Sequence, residues 1–379
     1  MKYFDFQGEK ISRLGFGLMR LPVIDGDQSK VDYDKVEELF MYAYDHGVNY
    51  YDTAFPYHNG FSEKTLGKLL TNNNLHGKVN IATKLFTLVI KQPDFDPRKM
   101  LDEQLSRLQS DHIDFYLMHG LNKDQWDYLC EHFDIKNYLR DLKRQGVLRH
   151  LGFSFHDTYE SFTQIIEDFE WEFAQIQYNY LDKDIQAGDR GREFALSKGV
   201  PLNVMEPCKG GSLIFPNYPE IDEIKARHGL SGISNAELAF SYVFDKPGFM
   251  VVLSGMNEMS QMEENIRIAD KYDYNTFSAE AEAAVEEIRD LIEHSENIPC
   301  TGCRYCTAGC PMQIQIPTAF SLYNEAQKFR NPASQRRNYD RACANIADCV
   351  ECGQCMNACP QHLQIPELLK KVRAYMEES

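Results

Sequence analysis

Short apolar runs alternate with longer segments of helical periodicity over the first 296 residues of the chain. The runs are rich in β-branched and aromatic residues, which is typical of buried strands, whereas the segments between them repeat apolar positions every three or four residues. Eight such runs occur, at 14–18, 48–51, 79–83, 113–118, 147–153, 173–177, 200–205 and 249–253. Helical periodicity is found at 34–45, 97–108, 126–144, 188–198, 235–244 and 260–269.

This alternation predicts a parallel sheet, because each helix returns the chain to the edge where the next strand starts. Eight repeats match a closed (β/α)8 barrel. A doubly wound open sheet is the alternative, but its glycine-rich phosphate-binding pattern is missing, since Gly15-Phe-Gly17 lacks the third glycine and opens no helix. We therefore predict an α/β protein with a (β/α)8 TIM barrel, whose lower end is closed by a hairpin at 3–13 that turns at Gly8.

Composition changes abruptly near residue 297. Of the 11 cysteines, only Cys130 and Cys208 lie before residue 300. Residues 297–379 carry nine Lys and Arg against seven Asp and Glu, a net charge of +2. Because the net charge of the whole chain is −17, residues 1–296 carry −19. Both changes predict a boundary between a barrel domain at 1–296 and a smaller domain at 297–379.

The charge balance also narrows the choice of partners. An excess of 57 Asp and Glu over 40 Lys and Arg argues against nucleic acid or an anionic membrane surface as a partner. The longest nearly apolar run, 248–256, is far shorter than the roughly 20 residues that a membrane-spanning helix needs. We predict a cytoplasmic location, where cysteines serve metal or redox chemistry more often than disulfides.

Three successive barrel strands end in polar residues. Asp52 ends the second strand, Lys84 the third and His119 the fourth, and Tyr57 follows in the loop after Asp52. In a (β/α)8 barrel the carboxyl ends of the strands converge on one rim, which is where catalytic groups gather. We therefore expect these four side chains to lie close together. Each of them alone is more simply interpreted as a packing or surface residue.

The chemistry of the four residues points to proton transfer. A lysine at the end of an apolar strand is costly unless it is paired, and Asp52 on the neighbouring strand is a plausible partner for Lys84. A cation near a phenol favours the phenolate and lowers the pKa, so that Tyr57 could act as a general acid near neutral pH.

Asp52-Thr-Ala with Tyr57, Ala-Thr-Lys84, and His119 at the end of its strand resemble the active site of the aldo-keto reductases, a (β/α)8 family. The resemblance extends over about residues 1–296. It implies hydride transfer between a nicotinamide cofactor and a carbonyl, with Tyr57 protonating the carbonyl oxygen and Lys84 lowering its pKa. It further implies that Asp52 holds Lys84 and that His119 orients the substrate oxygen.

The same resemblance assigns the cofactor contacts. Ser154 and Gln175 would hold the nicotinamide carboxamide, Met205 stands where many members carry an aromatic that stacks on the ring, and 254–265 would enclose the adenosine end. The contacts so implied are Gly17, Met19, Arg20, Ser154, Gln175, Met205, Ser254, Gly255, Met256, Asn257, Gln261, Glu264 and Asn265. Since 254–265 has no Lys or Arg before Arg267, a ribose 2′-phosphate lacks an obvious cationic partner, and the choice between NADP(H) and NAD(H) stays open.

The strongest motif is a repeated cysteine pattern in the second domain. Cys-x-x-Cys-x-x-Cys-x-x-x-Cys-Pro occurs at 300–311 and again at 349–360. In such a pair the first three thiolates of each copy bind one [4Fe-4S] cluster and the fourth binds the other. The two predicted ligand sets are Cys300, Cys303, Cys306 and Cys359 for one cluster, and Cys349, Cys352, Cys355 and Cys310 for the other. Zinc is the alternative ligand of Cys-x-x-Cys pairs, but two full copies with the proline are not how zinc ribbons are built.

Helical periodicity at 317–329 and 336–347 makes the second domain resemble α-helical dicluster ferredoxins, which are electron-transfer modules. Cys343, Cys130 and Cys208 belong to neither copy and are predicted to be buried small residues. The primary hypothesis is an NAD(P)H-dependent reductase of an aldehyde or ketone, or the reverse alcohol oxidation, whose clusters either exchange electrons with a ferredoxin-like carrier or are purely structural. The alternative is a cluster-bearing electron-transfer or redox-sensing protein whose barrel binds nucleotide without turnover.

Overall fold

A computed structural model describes residues 1–295 and 297–377. The chain separates into two compact units. The first contains Met1–Lys209 and Ala236–Phe277, and the second contains Gly210–Asn235 together with the chain from Ser278 onward. The second unit therefore includes a segment that precedes the composition change at residue 297, and the boundary placed there stays a prediction.

The eight predicted strands are β3 Leu14–Gly17, β4 Tyr50–Asp52, β5 Asn80–Phe86, β6 Ile113–Leu121, β7 Leu148–Phe155, β8 Phe173–Gln177, β9 Leu202–Met205 and β10 Phe249–Ser254. They form a closed parallel barrel in the order β10-β3-β4-β5-β6-β7-β8-β9. An open sheet is excluded because β10 pairs with β3, Val252 lying opposite Leu14. The (β/α)8 prediction is confirmed.

An antiparallel hairpin, β1 Tyr3–Phe6 and β2 Glu9–Ser12, precedes the barrel. Gly8 makes its turn with φ of +88°, a left-handed conformation that glycine adopts at little cost. Phe6 and Ile11 are buried in one cluster with inward-facing strand residues, among them Tyr50 and Phe115. The hairpin thus fills one end of the barrel, as predicted.

Helices follow the strands. They are α1 Tyr33–Asp45, α2 Phe61–Asn72, α3 Pro97–Leu108, α4 Lys123–Phe133, α5 Ile135–Arg144, α6 Tyr159–Asp168, α7 Gly188–Ser197, α8 Pro219–Arg227, α9 Asn235–Asp245, α10 Met259–Lys271 and α11 Ala279–Glu293. Short 3-10 turns lie at Leu18–Arg20, Ile24–Gly26, Tyr57–Gly60, Thr87–Val89, Lys209–Ile214, Pro332–Ser334 and Ile346–Asp348. The single helix predicted over 126–144 is wrong: Asp134 adopts φ of +46° and divides it into α4 and α5. A left-handed residue cannot continue a right-handed helix, and aspartate tolerates that conformation better than most residues.

The cysteine-rich part of the second unit is helical. Its helices are α12 Tyr305–Ala308, α13 Ile316–Lys328, α14 Arg336–Ala342, α15 Gln354–Asn357 and α16 Ile365–Glu377. Five residues after each Cys-Pro pair, an Ile-Pro step opens a helix of 13 residues, α13 in the first copy and α16 in the second. Proline suits the first turn of a helix, where its missing N–H is not needed. The two copies of the motif therefore build the same local structure twice.

Within the described residues, none of the helices combines the length and the apolar character needed to cross a lipid bilayer.

Candidate functional site

The four predicted active-site residues come together at the carboxyl ends of three adjacent strands. Asp52 ends β4, Lys84 lies in β5 and His119 lies in β6, and these strands pair in that order. Phe86 of β5 lies opposite His119 of β6 in the parallel register. Tyr57 begins the 3-10 turn that follows β4. Parallel pairing of neighbouring strands is thus what brings residues 67 positions apart onto one rim.

Lys84 is fully buried, and all three hydrogens of its ammonium group have acceptors. Nζ lies 2.7 Å from each carboxylate oxygen of Asp52 and 2.7 Å from the backbone oxygen of Thr53. Burial lowers the pKa of Lys84 and raises the pKa of Asp52, and in both residues the charge of the partner opposes that effect. The pair is therefore a compact ionic anchor between β4 and β5.

Tyr57 and His119 lie beside this anchor. Lys84 Nζ is 5.3 Å from the centroid of the Tyr57 ring, and the Tyr57 and His119 rings meet edge to face with centroids 5.8 Å apart. The expected lowering of the Tyr57 pKa is wrong for the protein alone: burial raises that pKa, and the charges of Asp52 and Glu206 raise it further. Loss of hydration on burial is thus the main influence on the Tyr57 phenol, and the charge of Asp52, the partner of Lys84, adds to it.

The His119 imidazole is neutral over the physiological range. Burial, and after it the charges of Lys84 and His156, lowers its pKa to about 3. Its Nδ1 is buried without a hydrogen-bond partner in the described structure. A neutral imidazole beside the Tyr57 ring can donate or accept one hydrogen bond to a small molecule bound there.

A buried ion pair under the Tyr57 loop was not predicted from the sequence. Arg107 of α3 donates to the backbone oxygen of Phe55 at 3.1 Å and to Glu63 at 2.9 Å. The other oxygen of Glu63 accepts from Thr83 at 2.6 Å and from Gln104 at 2.9 Å. The sequence does contain an indication of this ion pair. Glu63 falls at helical spacing with two buried leucines of α2, and a carboxylate on a buried helix face needs hydrogen-bond or ionic partners.

Ser154 and Gln175 lie opposite each other on β7 and β8. Ser154 Oγ accepts from the backbone N–H of Gly120 at 2.8 Å, and Gln175 Nε2 contacts Met205 Sδ at 3.6 Å. Gln175 Oε1 is buried and has no hydrogen-bond partner in the described structure. A buried amide oxygen without a donor is costly, so this atom fits a ligand that brings an N–H, as a nicotinamide carboxamide would.

The predicted adenosine segment lies where β10 passes into α10. Ser254 Oγ accepts from Asn265 Nδ2 at 2.9 Å, and the backbone N–H of Asn257 donates to Gln261 Oε1 at 3.1 Å. These bonds tie the strand end to the first turns of the helix. Met256 is buried in the same segment.

Residues that follow β3 lie against this segment. A Cβ at Gly17 would stand 3.4 Å from the backbone oxygen of Ser254, and a Cβ at Gly255 would stand 3.4 Å from the Arg20 side chain. Met19, on the same turn as Arg20, exposes 58% of its surface. The ends of β3 and β10 therefore form one shared surface.

Two acidic residues surround the first cation after the segment. Arg267 donates to Glu237 at 2.7 Å and lies 4.0 Å from Glu264. Its charge is thereby paired within the protein, so Arg267 is not a free cationic partner for a 2′-phosphate.

The two predicted cysteine sets line two separate cavities of the second unit. One cavity, of about 320 Å³ including its open part, is bounded by Cys300, Cys303, Cys306 and Cys359. The other, of about 330 Å³, is bounded by Cys310, Cys349, Cys352 and Cys355. In each cavity three cysteines come from one copy of the motif and the fourth from the other copy, which is the crossed arrangement expected for paired [4Fe-4S] clusters. Ile316 lines both cavities and so lies between them.

The remaining cysteines differ from one another. Cys343 is buried, as predicted, and burial raises its pKa to about 11. Cys130 and Cys208 are only partly buried, which corrects the prediction for these two. Burial nevertheless raises their pKa values, to about 11 and about 12, so their thiols stay protonated at neutral pH.

Comparison with known proteins agrees with both halves of this description. The model of the aldo/keto reductase family matches residues 13–290, and the 4Fe-4S dicluster domain model matches residues 299–363. The chain therefore belongs to the aldo/keto reductase family and carries an iron–sulfur domain after its barrel. It is an oxidoreductase-family protein in which reductase fold and cluster domain are joined in one chain.

Two sequence relatives and two solved structures show how similar this chain is to known proteins. L-galactose dehydrogenase of Arabidopsis thaliana is 27% identical over 307 residues, covering 75% of this chain and 93% of the relative. 6-Dehydroglucose reductase of Novosphingobium aromaticivorans is 26% identical over 272 residues, covering 68% and 86%. Among solved structures, the holo form of an aldo-keto reductase from Bacillus halodurans superposes with a TM-score of 0.60 at 22% identity, covering 76% of this chain and 96% of that chain. An aldo/keto reductase from Klebsiella pneumoniae in complex with NADP and acetate gives 0.58 at 18%, covering 76% and 95%, and these two likenesses concern the fold.

Proposed function

We propose that the barrel reduces an aldehyde or ketone with NAD(P)H, or oxidises the corresponding alcohol, and that Tyr57 is the general acid. The observation that carries the proposal is the buried Asp52–Lys84 pair with Tyr57 and His119 beside it on one rim of the barrel. A barrel that only bound a nucleotide would have no need of an ionic anchor under a phenol. Family membership supports the same reaction class.

The proposed reaction balances as one hydride and one proton added to a carbonyl. A bound NAD(P)H would supply the hydride that the carbonyl carbon accepts. Tyr57 donates its phenolic proton to the carbonyl oxygen as negative charge develops there, and recovers a proton from solvent after the alcohol leaves. Its raised pKa keeps the phenol protonated at neutral pH, so the acid is in its active form before substrate binds. Neutral His119 orients the carbonyl oxygen by a hydrogen bond.

The residues present fit a nicotinamide cofactor. Ser154 and the unpartnered oxygen of Gln175 would hold the carboxamide, and Met205 lies beside them. The surface shared by the ends of β3 and β10 would hold the adenosine end. The complex of the Klebsiella relative with NADP supports this cofactor class, whereas the engaged Arg267 leaves NADH an equal candidate.

We also propose that the two cysteine-lined cavities hold two [4Fe-4S] clusters, one on each of the predicted ligand sets. The crossed origin of the fourth cysteine in each cavity supports two clusters rather than one. Each cluster moves one electron whereas hydride carries two, so we propose a one-electron, ferredoxin-like carrier as the partner of the clusters. The proposed substrate of the barrel is a small carbonyl compound or alcohol. Thiolate ligands persist best in a reducing compartment, which favours a cytoplasmic location.

Anaerobic turnover tests the proposed function. The holoprotein is assayed for NADPH and NADH oxidation with a panel of aldehydes and ketones that begins with hexose carbonyls, because two relatives are named for L-galactose and 6-dehydroglucose. We expect turnover that Tyr57→Phe lowers at least about a hundredfold while nucleotide binding is retained. Nucleotide binding without turnover across the panel would instead support the alternative, a redox module whose barrel only binds nucleotide.

A further inference from the structure

The guanidinium of Arg107 on α3 contacts the Tyr57 turn on both sides of the tyrosine in the sequence. Nη1 donates to the backbone oxygen of Phe55 at 3.1 Å, and Cζ lies 4.1 Å from the centroid of the Phe55 ring. Gly60 lies against the same guanidinium, because a Cβ there would stand 2.9 Å from it. Gly60 also has φ of +86°, which favours glycine. The turn that carries Tyr57 is therefore fitted closely around Arg107.

The same guanidinium is connected to the strand that carries Lys84. Arg107 donates to Glu63 at 2.9 Å, and Glu63 accepts from the Thr83 hydroxyl at 2.6 Å. Thr83 directly precedes Lys84 in β5. Gln104, which lies one turn before Arg107 on α3, donates to Glu63 at 2.9 Å and to the backbone oxygen of Lys84 at 3.0 Å. Two fully buried side chains, those of Glu63 and Gln104, thus connect Arg107 to β5.

Other hydrogen bonds connect the Tyr57 turn to a different strand. His58 Nε2 accepts from the backbone N–H of Leu21 at 3.0 Å, and Ser62 Oγ donates to the backbone oxygen of Leu18 at 2.9 Å. Leu18 and Leu21 lie at the two ends of the short turn after β3. These bonds join the Tyr57 turn to the end of β3, whereas the bonds of Arg107 and Glu63 join it to β5.

The ion pair between Glu63 and Arg107 is strong enough to hold this arrangement. The Glu63 side chain is fully buried and the Arg107 side chain is 12% exposed, so the pair is little screened by solvent. Hydrogen bonds between charged groups are also about twice as strong as those between neutral groups. Burial lowers the pKa of Lys84, and the charge of Asp52, followed by that of Glu63, opposes this effect. Glu63 therefore also helps to keep Lys84 protonated.

We propose that Glu63 and Arg107 are positioning residues for proton transfer, and that their ion pair fixes the Tyr57 phenol relative to the Lys84 ammonium. The pair acts through one backbone contact on the turn and one side-chain contact on β5. Proton transfer is sensitive to such placement, since a shift of about 1 Å can cost about a hundredfold in rate. The inference rests on the proposed function, because it assumes that Tyr57 is the general acid.

The turnover number of the intact holoprotein tests the proposal, measured anaerobically at saturating nucleotide with a carbonyl from the turnover panel. Arg107→Gln removes the cation that joins the turn to Glu63 and is expected to lower kcat about tenfold. Thr83→Val removes only the hydroxyl that donates to Glu63 and is expected to lower kcat about threefold. An interaction that matters in the transition state need not change ground-state binding, so the nucleotide Kd from calorimetry should stay within about twofold of wild type.

Arg13→Gln is the matched control, because Arg13 makes the same kinds of contact as Arg107. It donates to Asp273 at 2.6 Å and to the backbone oxygen of Phe244 at 2.9 Å, and its Cζ lies 4.0 Å from the centroid of the Tyr274 ring. Arg13 directly precedes β3, so it lies at the amino ends of the strands, away from the catalytic rim. Arg13→Gln should therefore lower the free energy of unfolding and leave kcat per folded protein unchanged.

Each kcat is divided by the folded fraction of the barrel from tryptophan fluorescence, since both tryptophans lie in the barrel unit. Wild-type kcat in Arg107→Gln, or an equal loss of kcat in Arg13→Gln, would overturn the inference while the proposed function stands. A nucleotide Kd weakened as much as kcat is lowered would also overturn it. If Arg107→Gln does not fold, Thr83→Val decides, and wild-type kcat in that variant is then the contrary result. A wild-type protein that turns over no carbonyl would overturn the proposed function as well.

Discussion

Replacing Lys84 by methionine isolates the energetic role of the buried ion pair. The substitution preserves most of the side-chain volume but removes the cation that lies 2.7 Å from both oxygens of Asp52. Asp52 is then a buried carboxylate without a counter-charge, and removing one partner of such a pair costs about 3–5 kcal/mol. We expect Lys84→Met to lower the free energy of unfolding of the barrel by that amount at pH 7.

The cost should depend on pH. Burial already raises the pKa of Asp52, and removing Lys84 takes away the two contributions that lower it. An acid with a raised pKa in the folded state binds its proton more tightly there than in the unfolded chain, so the folded state regains stability as pH falls through the folded-state pKa. The difference between wild type and Lys84→Met is therefore expected to shrink from pH 7 to pH 5.

The assay can follow the barrel alone. The chain has two tryptophans, Trp126 and Trp171, and both are buried in the barrel unit. Anaerobic urea unfolding followed by tryptophan fluorescence therefore reports on the barrel, while visible absorbance reports on the clusters. The control is the double variant Asp52→Asn with Lys84→Met, which removes both charges and is expected to cost only about 1–2 kcal/mol. A loss below about 1 kcal/mol in Lys84→Met, or a loss unchanged between pH 5 and 7, would refute this account of the pair.

Three further predictions concern the cofactor, the clusters and the acid. Gln175→Leu removes the buried unpartnered oxygen and should weaken nucleotide binding about fivefold to tenfold in calorimetry, with the clusters unchanged. Cys310→Ser with Cys355→Ser alters one cavity and should leave about four irons per chain by metal analysis, whereas Cys306→Ser with Cys310→Ser alters both and should leave none. Equal iron content in the two double variants would contradict the crossed ligand sets. The Tyr57 pKa is raised, and a general acid loses activity only as pH rises through its pKa, so kcat/KM should not decline between pH 7 and pH 9. A decline of kcat/KM near pH 7 caused by ionisation of Tyr57 would contradict this prediction.

Much of this molecule follows from local pattern. The eight strands were predictable because a parallel strand buried on both faces must be apolar over its whole length. Asp52, Lys84 and His119 were predictable because barrel topology places strand ends together. The two cysteine sets follow from the spacing of the motif, and each set lines one cavity.

What could not be predicted depends on distant packing. The break at Asp134 involves one backbone conformation that periodicity does not register. The pKa of Tyr57 reflects how deeply the ring is buried and that the charges of Asp52 and Glu206 act on it, neither of which spacing specifies. The hydrogen bond between Arg330 and Glu220 joins residues 110 positions apart. No local sequence pattern therefore indicates that 210–235 belongs to the same compact unit as the cysteine-rich domain.

The central claim is that Tyr57 delivers the proton while hydride reaches a carbonyl in the barrel. Its most direct test is deuterium transfer from NADPH or NADH labelled at the transferable position of the nicotinamide, with a carbonyl found in the turnover panel. The account predicts deuterium on the carbinol carbon of the product with the wild-type protein, and transfer slowed at least about a hundredfold by Tyr57→Phe at saturating nucleotide. Product without deuterium, or equal transfer rates for wild type and Tyr57→Phe, would contradict it.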